Sequence, residues 1–212
     1  LRRPLTLSGR HAGPVKLVLR FVEGDWKAWL RGMTGEAALR ADRAAAYGLE
    51  GTDLAAAVRT RSGRLELDLG GKVNGGPLTA RLLLDASGDP PLLRLVERGV
   101  LFSGARVTHA AAAEMLTRLN PLFEQSASPQ GVMTLALNEV STPITAGARA
   151  GTILSGTLSL KGLSFAPGGM LRRVLALSER AEPARVYAPD QNIAFEFRDG
   201  VLRHAPLTLR AG

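Results

Sequence analysis

The sequence predicts a mainly β fold, a meandering antiparallel sheet accompanied by two short amphipathic helices. Three observations predict it. Apolar and charged residues alternate with period two in run after run, turn signals separate those runs at short intervals, and helical spacing emerges at only two places. No linker is long enough to force a domain boundary, so residues 1–212 read as one β-rich body.

Near the start, Val15, Leu17, Leu19 and Phe21 share a face with Lys16 and Arg20 opposite. Residues 36–46 and 52–59 are alanine-rich, and both strand and helix fit them. The clearest signal is Arg64-Leu65-Glu66-Leu67-Asp68-Leu69, where leucines occupy one face of a strand and charges the other. The glycine-rich residues 70–76 then suggest a bulge followed by a tight turn, after which Leu78, Ala80, Leu82 and Leu84 again share a face. Together these two runs read as a β-hairpin with an apolar side.

Thr108 is placed to cap a helix over residues 109–119 that ends before Pro121, with Ala112, Met115, Leu116 and Leu119 as its apolar stripe. Strand alternation resumes with Met133, Leu135 and Leu137, then Leu158 and Leu160. The second helix is expected over residues 170–177, with Leu171, Val174 and Leu175 on one side and Arg172 and Arg173 projecting elsewhere. Either helix could pack on the sheet or plug its end; insertion at a membrane surface is the alternative. Ile193, Phe195 and Phe197 form a further apolar face, the Asp199-Gly200 turn follows, and residues 201–203 and 207–209 read as strands. Residues 85–91, 125–130 and 142–152 read as linkers.

Composition narrows the function classes. The chain carries a formal charge of +8, is 45% hydrophobic and 22% charged, has 5% aromatics and contains no cysteine. Global disorder, disulfides, thiolate metal sites and cysteine nucleophiles are excluded. Nucleic acid is not expected as a partner, because acids such as Glu66, Asp68 and Glu179 sit among the arginines and no aromatic platform accompanies them. No apolar run approaches the roughly twenty residues of a spanning helix. The chain starts at Leu1 and stops just after an apparent strand, so it reads as a segment excised from a longer protein, with any anchor or targeting signal outside it.

No catalytic constellation emerges. His11, His109 and His204 lack local partners at metal-ligand spacing. The Gly70–Gly76 run resembles a phosphate loop only superficially, since Val73 stands where a magnesium-ligating hydroxyl belongs and Glu66 where the leading glycine belongs. No G-x-S-x-G elbow surrounds any serine. The expectation is therefore a non-enzyme with no catalytic residue, no metal and no cofactor. What remains is the apolar side of the sheet: Leu65, Leu67, Leu69, Leu78, Leu82, Leu84, Met133, Leu135, Leu137, Leu158, Leu160, Ile193, Phe195 and Phe197. Periodicity leaves open whether a conventional core covers it or whether it is a groove for acyl chains.

Several short motifs resemble the AsmA-like family of bacterial envelope proteins. They are Gly51-Thr52-Asp53-Leu54, Gly63-Arg64-Leu65-Glu66-Leu67, Val73-Asn74-Gly75-Gly76-Pro77-Leu78-Thr79-Ala80, Leu84-Asp85 with Pro90-Pro91, Gly156-Thr157-Leu158-Ser159-Leu160 and Phe195-Glu196-Phe197-Arg198-Asp199-Gly200-Val201-Leu202. The similarity covers most of residues 33–212, while the family's N-terminal membrane helix is absent. The resemblance implies a strongly curved sheet, a groove or half-barrel, in a periplasmic protein anchored to the inner membrane by that missing helix and related to bridge-like lipid-transfer proteins. It implies phospholipid acyl chains as ligands on the face named above, transport between inner and outer membranes, and a part in outer-membrane integrity. Membrane contact would run through parts outside the segment, and other envelope proteins are possible partners. The alternative is a structural or assembly module that binds envelope proteins through its sheet edges.

Overall fold

The computed structural model describes residues 6–8, 15–18, 28, 31–123, 127–144, 151–169, 172–173 and 185–211. They form one 14-stranded, curved antiparallel sheet and one short helix. β1 (Thr6–Ser8) and β2 (Val15–Val18) both lie along β3 (Thr34–Ala46). A meander of β4 (Leu49–Arg61), β5 (Arg64–Val73) and β6 (Gly76–Asp85) follows. β7 (Leu92–Leu95) and β8 (Gly99–Arg106) then lie end to end between β6 and the long β9 (Ala127–Pro143). β10 (Ile153–Ala166) pairs with β9 on one side and with β11 (Val186–Tyr187) and β12 (Gln191–Arg198) on the other. β13 (Val201–His204) and β14 (Arg210–Ala211) finish that side of the sheet.

The hairpins are set by their turns. Tyr47-Gly48, Ser62-Gly63, Asn74-Gly75 and Asp199-Gly200 each place both residues at positive φ, the primed geometry whose twist matches that of paired strands. The expected turns at residues 74–76 and 199–200 are therefore present. Both alanine-rich runs are strands. The strongest helix former is overruled because each run is bracketed by a turn of this kind, and pairing with its neighbour satisfies the backbone of both. The bulge lies in β4, between Thr52 and Ala55, opposite residues 70–72.

α1 covers residues 109–119. It opens with an α-turn (His109–Ala111), widens to a π-turn (Ala112–Leu116) and closes with a second α-turn (Thr117–Leu119). Thr108 caps it as expected, its Oγ1 accepting from the Ala111 N–H at 3.1 Å. In the π-turn the Thr117 hydroxyl donates to the Ala112 carbonyl at 3.1 Å. The stripe faces the sheet: Ala112 and Leu116 are buried, and Met115 and Leu119 pack on the same cluster. Beneath it lie Phe102, Met133, Leu158, Leu160, Phe165 and Ile193, with Phe123 tilted against Phe165 at 5.1 Å between ring centroids. Gly48 carries α1 across to the first hairpin, because a Cβ there would stand 2.1 Å from the Ala110 carbonyl oxygen.

Some expectations need correction. Residues 207–209 do not form a strand. After Pro206 this segment hydrogen-bonds to the amide of Gln191, whose Oε1 accepts from the Thr208 N–H at 3.0 Å and whose Nε2 donates to the Thr208 carbonyl at 3.1 Å, so a side chain takes the place of a ladder strand. The expected linker at 125–130 is largely sheet, with Ala127 and Gln130 paired to Ala166 and Ser164 of β10. Residues 19–21, the linker residues 145–150 and His11 lie outside the described residues, as does the second expected helix apart from Arg172 and Arg173.

Candidate functional site: an apolar trough closed at one end

Register aligns the alternating side chains into rows that cross the strands. One row runs Ala37, Val58, Leu67, Leu82 and Leu95 from β3 to β7. The next runs Gly35, Thr60, Leu65, Leu84, Leu93 and Thr142. A third runs Leu39, Ala56, Leu69 and Ala80. At about 4.8 Å between strands, the first row is roughly 19 Å long. The members of the first row are half-buried, and Leu39 is 44% exposed. In the second row, by contrast, Leu65 and Leu84 pack against the buried Met33 and Ala86, and Thr60 is buried with its hydroxyl donating to the Met33 carbonyl. Among the described residues the uncovered part is the first and third rows.

A bulge keeps the face apolar further along. Between Ser155 and Gly156 the register of β9 against β10 shifts by one residue, and Asn138 and Glu139 both point into solvent. Leu137 and Val140 consequently stay on the apolar side, as they could not in an unbroken period of two. Val140 continues across the sheet to Leu154 and Phe197.

The fourteen apolar residues singled out from the sequence thus divide. Leu65, Leu67, Leu69, Leu82 and Leu84 line the half-exposed face, and Leu78 sits where that face meets the core. Met133, Leu158, Leu160 and Ile193 are no more than 1% exposed, enclosed by α1 in the protein's own core. Leu137 is buried, and Leu135 packs half-buried against the core. Phe195 and Phe197 are half-buried on β12; the Phe195 ring lies over Gly156, filling the space a side chain there would take. The trough residues that alternation did not single out are Ala37, Leu39, Ala56, Val58, Leu93, Leu95, Val140 and Leu154. Those in β3 and β4 carry a period-two signal diluted by alanine on both faces.

The opposite face is wet and largely self-neutralising. Arg81 binds Asp68 at 2.7 Å and Glu97 at 2.9 Å, Arg59 lies 3.6 Å from Asp68, Lys72 2.9 Å from Asp53 and Arg64 3.8 Å from Asp85. Arg81 holds its proton more tightly than usual, chiefly through the Asp68 hydrogen bond. Asp85 is held below the ordinary carboxylate range, first by the Ser87 hydroxyl, then by the Ser87 N–H, with Arg64 and Arg94 adding less. These exposed pairs contribute little stability each. A hollow of about 690 Å³ beside the Ser62-Gly63 turn sets Arg59, Arg61 and Arg64 against Glu36 and Glu66, so it carries no dominant sign.

Asn74 locks the closed end. Its Oδ1 accepts from the Glu50 N–H at 2.8 Å and its Nδ2 donates to the Arg106 carbonyl at 3.1 Å, tying β4 and β8 to the β5–β6 turn. Its backbone makes the reciprocal bonds to Glu50 and Arg106. The Gly70–Gly76 run is thus strand and turn. Among the described residues no group of three or more His, Cys, Asp or Glu is placed to hold a metal ion, and no helix is long and apolar enough to cross a membrane. No protein-family model, curated protein or solved structure matches the chain.

Proposed function

We propose that the chain is a β-groove segment of an AsmA-like periplasmic protein, shielding phospholipid acyl chains as they move between the inner and outer membranes. The observation that carries this reading is the open part of the trough, the row Ala37, Val58, Leu67, Leu82 and Leu95 and the row beside it from Leu39. Their half-exposed side chains run across the strands between the α1 core and the small Met33–Ala86 core. Water leaves such a surface at a gain of about 25 cal/mol per Å² covered, and an acyl chain covers it without placing any polar atom there. The strands satisfy one another's backbone groups, so a chain lying across them meets side chains only. The work asks for no catalytic residue and no cofactor, and the paired charges of the outer face keep that side in water. In this reading the protein acts in the periplasm, and a helix preceding the segment anchors it to the inner membrane.

A second reading, an assembly module binding envelope proteins by strand addition, is favoured by β13. Among the described residues it pairs only with β12, all of its residues are exposed, and Val201 is 49% exposed, features of an edge open to a further strand. Mass spectrometry of lipid extracted from gently purified protein separates the two. The groove reading expects co-purifying phospholipid. Lipid-free protein that captures an extended peptide along β13 would support the second reading and overturn the first.

A further inference from the structure

We propose that the break between β7 and β8 is a side port of the trough, where the anionic head group of a phospholipid lies outside the sheet against Arg98 while its chains reach the apolar face within. The proposal rests on the acyl-chain reading of the trough and adds to it a place and a charge preference for the head group.

The break is a lapse in the ladder on both flanks. β6 pairs with β8 at Leu78 and with β7 from Leu82 onward, leaving residues 79–81 without a register partner on that edge. β9 pairs with β8 as far as Leu137 and with β7 from Ser141, leaving residues 138–140 likewise. Residues 96–98 cross the gap, tied by the Val96 N–H donating to the Arg81 carbonyl at 3.0 Å. A cavity of about 340 Å³ occupies the gap and draws its lining from both faces. Leu69, Ala80, Leu95 and Leu137 come from the apolar side, and Arg81, Glu97 and Arg98 from the wet one. Continuous strands keep the two environments apart elsewhere; here an amphiphile can occupy both.

The charges at the rim select the head group. Arg81 pairs with Asp68 and Glu97, and Arg59 lies 3.6 Å from Asp68, so these two arginines and two carboxylates offset one another. Arg98 also lines the cavity and has no ion pair among the described residues. The uncommitted charge at the mouth is therefore positive. Val96 and Val100 stand on either side of Arg98 at 45% and 51% exposure, an apolar rim that a free phosphate would have no use for. A neutral amphiphile would make no use of Arg98. An anionic phospholipid uses both.

The test measures loading of the full chain with phosphatidylglycerol or phosphatidylcholine by native mass spectrometry, for the unaltered protein, for Arg98→Glu and for Arg40→Glu, an exposed charge on β3. Arg98→Glu is expected to lower phosphatidylglycerol loading about fivefold and to change phosphatidylcholine loading less than about twofold, with Arg40→Glu changing neither. Equal loss of both lipids, or undiminished phosphatidylglycerol loading, overturns the port while leaving the trough standing. A variant that loads normally but sediments less with phosphatidylglycerol vesicles also overturns it, since the rim is then a membrane contact. If the unaltered protein loads neither lipid, the trough reading itself fails.

Discussion

Single residues fix the closed end of the molecule. Asn74 sits at φ +46°, and its side chain links the Glu50 N–H of β4 to the Arg106 carbonyl of β8. Asn74→Ala removes both bonds and leaves an alanine in the left-handed region, so it should cost about 2–4 kcal/mol, read as a lower urea midpoint with unchanged slope. Asp85 gives the pH dependence. Its carboxylate is favoured in the fold over the unfolded chain, so the stability it contributes is present above the ordinary carboxylate pKa and is lost as pH falls through its lowered value. Ser87→Ala removes the largest cause of that lowering, and should make the loss of stability below about pH 4 shallower. A urea titration between neutral and acid pH, showing parallel curves for the two proteins, would refute this.

At the scale of elements, α1 divides the apolar side into core and trough. Leu116 is 0% exposed beneath it, while Leu67 on β5 is half-buried in the open face. Leu116→Ala should therefore cost about 2–5 kcal/mol and Leu67→Ala about 1 kcal/mol or less, a contrast that chemical denaturation resolves. This division also marks how far the sequence could be read. The β5–β6 hairpin was legible because leucines alternate with Arg64, Glu66 and Asp68, and Asn74-Gly75 names its own turn. α1 was legible through Thr108, Pro121 and the Ala112–Leu119 spacing. β3 and β4 were ambiguous because alanine is the best helix former and stands on both of their faces, so only pairing with neighbours decides their state. Nor could period two say that Met133, Leu158, Leu160 and Ile193 would be covered while Leu67 and Leu82 would not; all share one alternation, and the cover comes from an element remote in sequence. The bulge at Asn138 and Glu139 hid Val140 from the pattern in the same way, by shifting it one residue out of phase.

For the whole molecule, the sheet presents a hydrated outer side and an apolar inner side that is self-packed under α1, packed again on a smaller scale at Met33 and Ala86, and open in the rows between. A protein that only needed a core would gain by covering the open rows as well, since the row from Ala37 to Leu95 stays half-exposed at a cost in hydrophobic free energy. That cost is the physical content of the groove reading. The most direct test is photo-crosslinking of the full chain with a phospholipid carrying a diazirine on its acyl chain, followed by mapping of the adducts. The account predicts adducts on the trough strands, at positions such as Leu39, Val58, Leu67, Leu82 and Leu95, and none at Met133, Leu158, Leu160 or Ile193. Adducts confined to the outer face or spread evenly over both faces, or no adducts under conditions where the protein is folded, would contradict it.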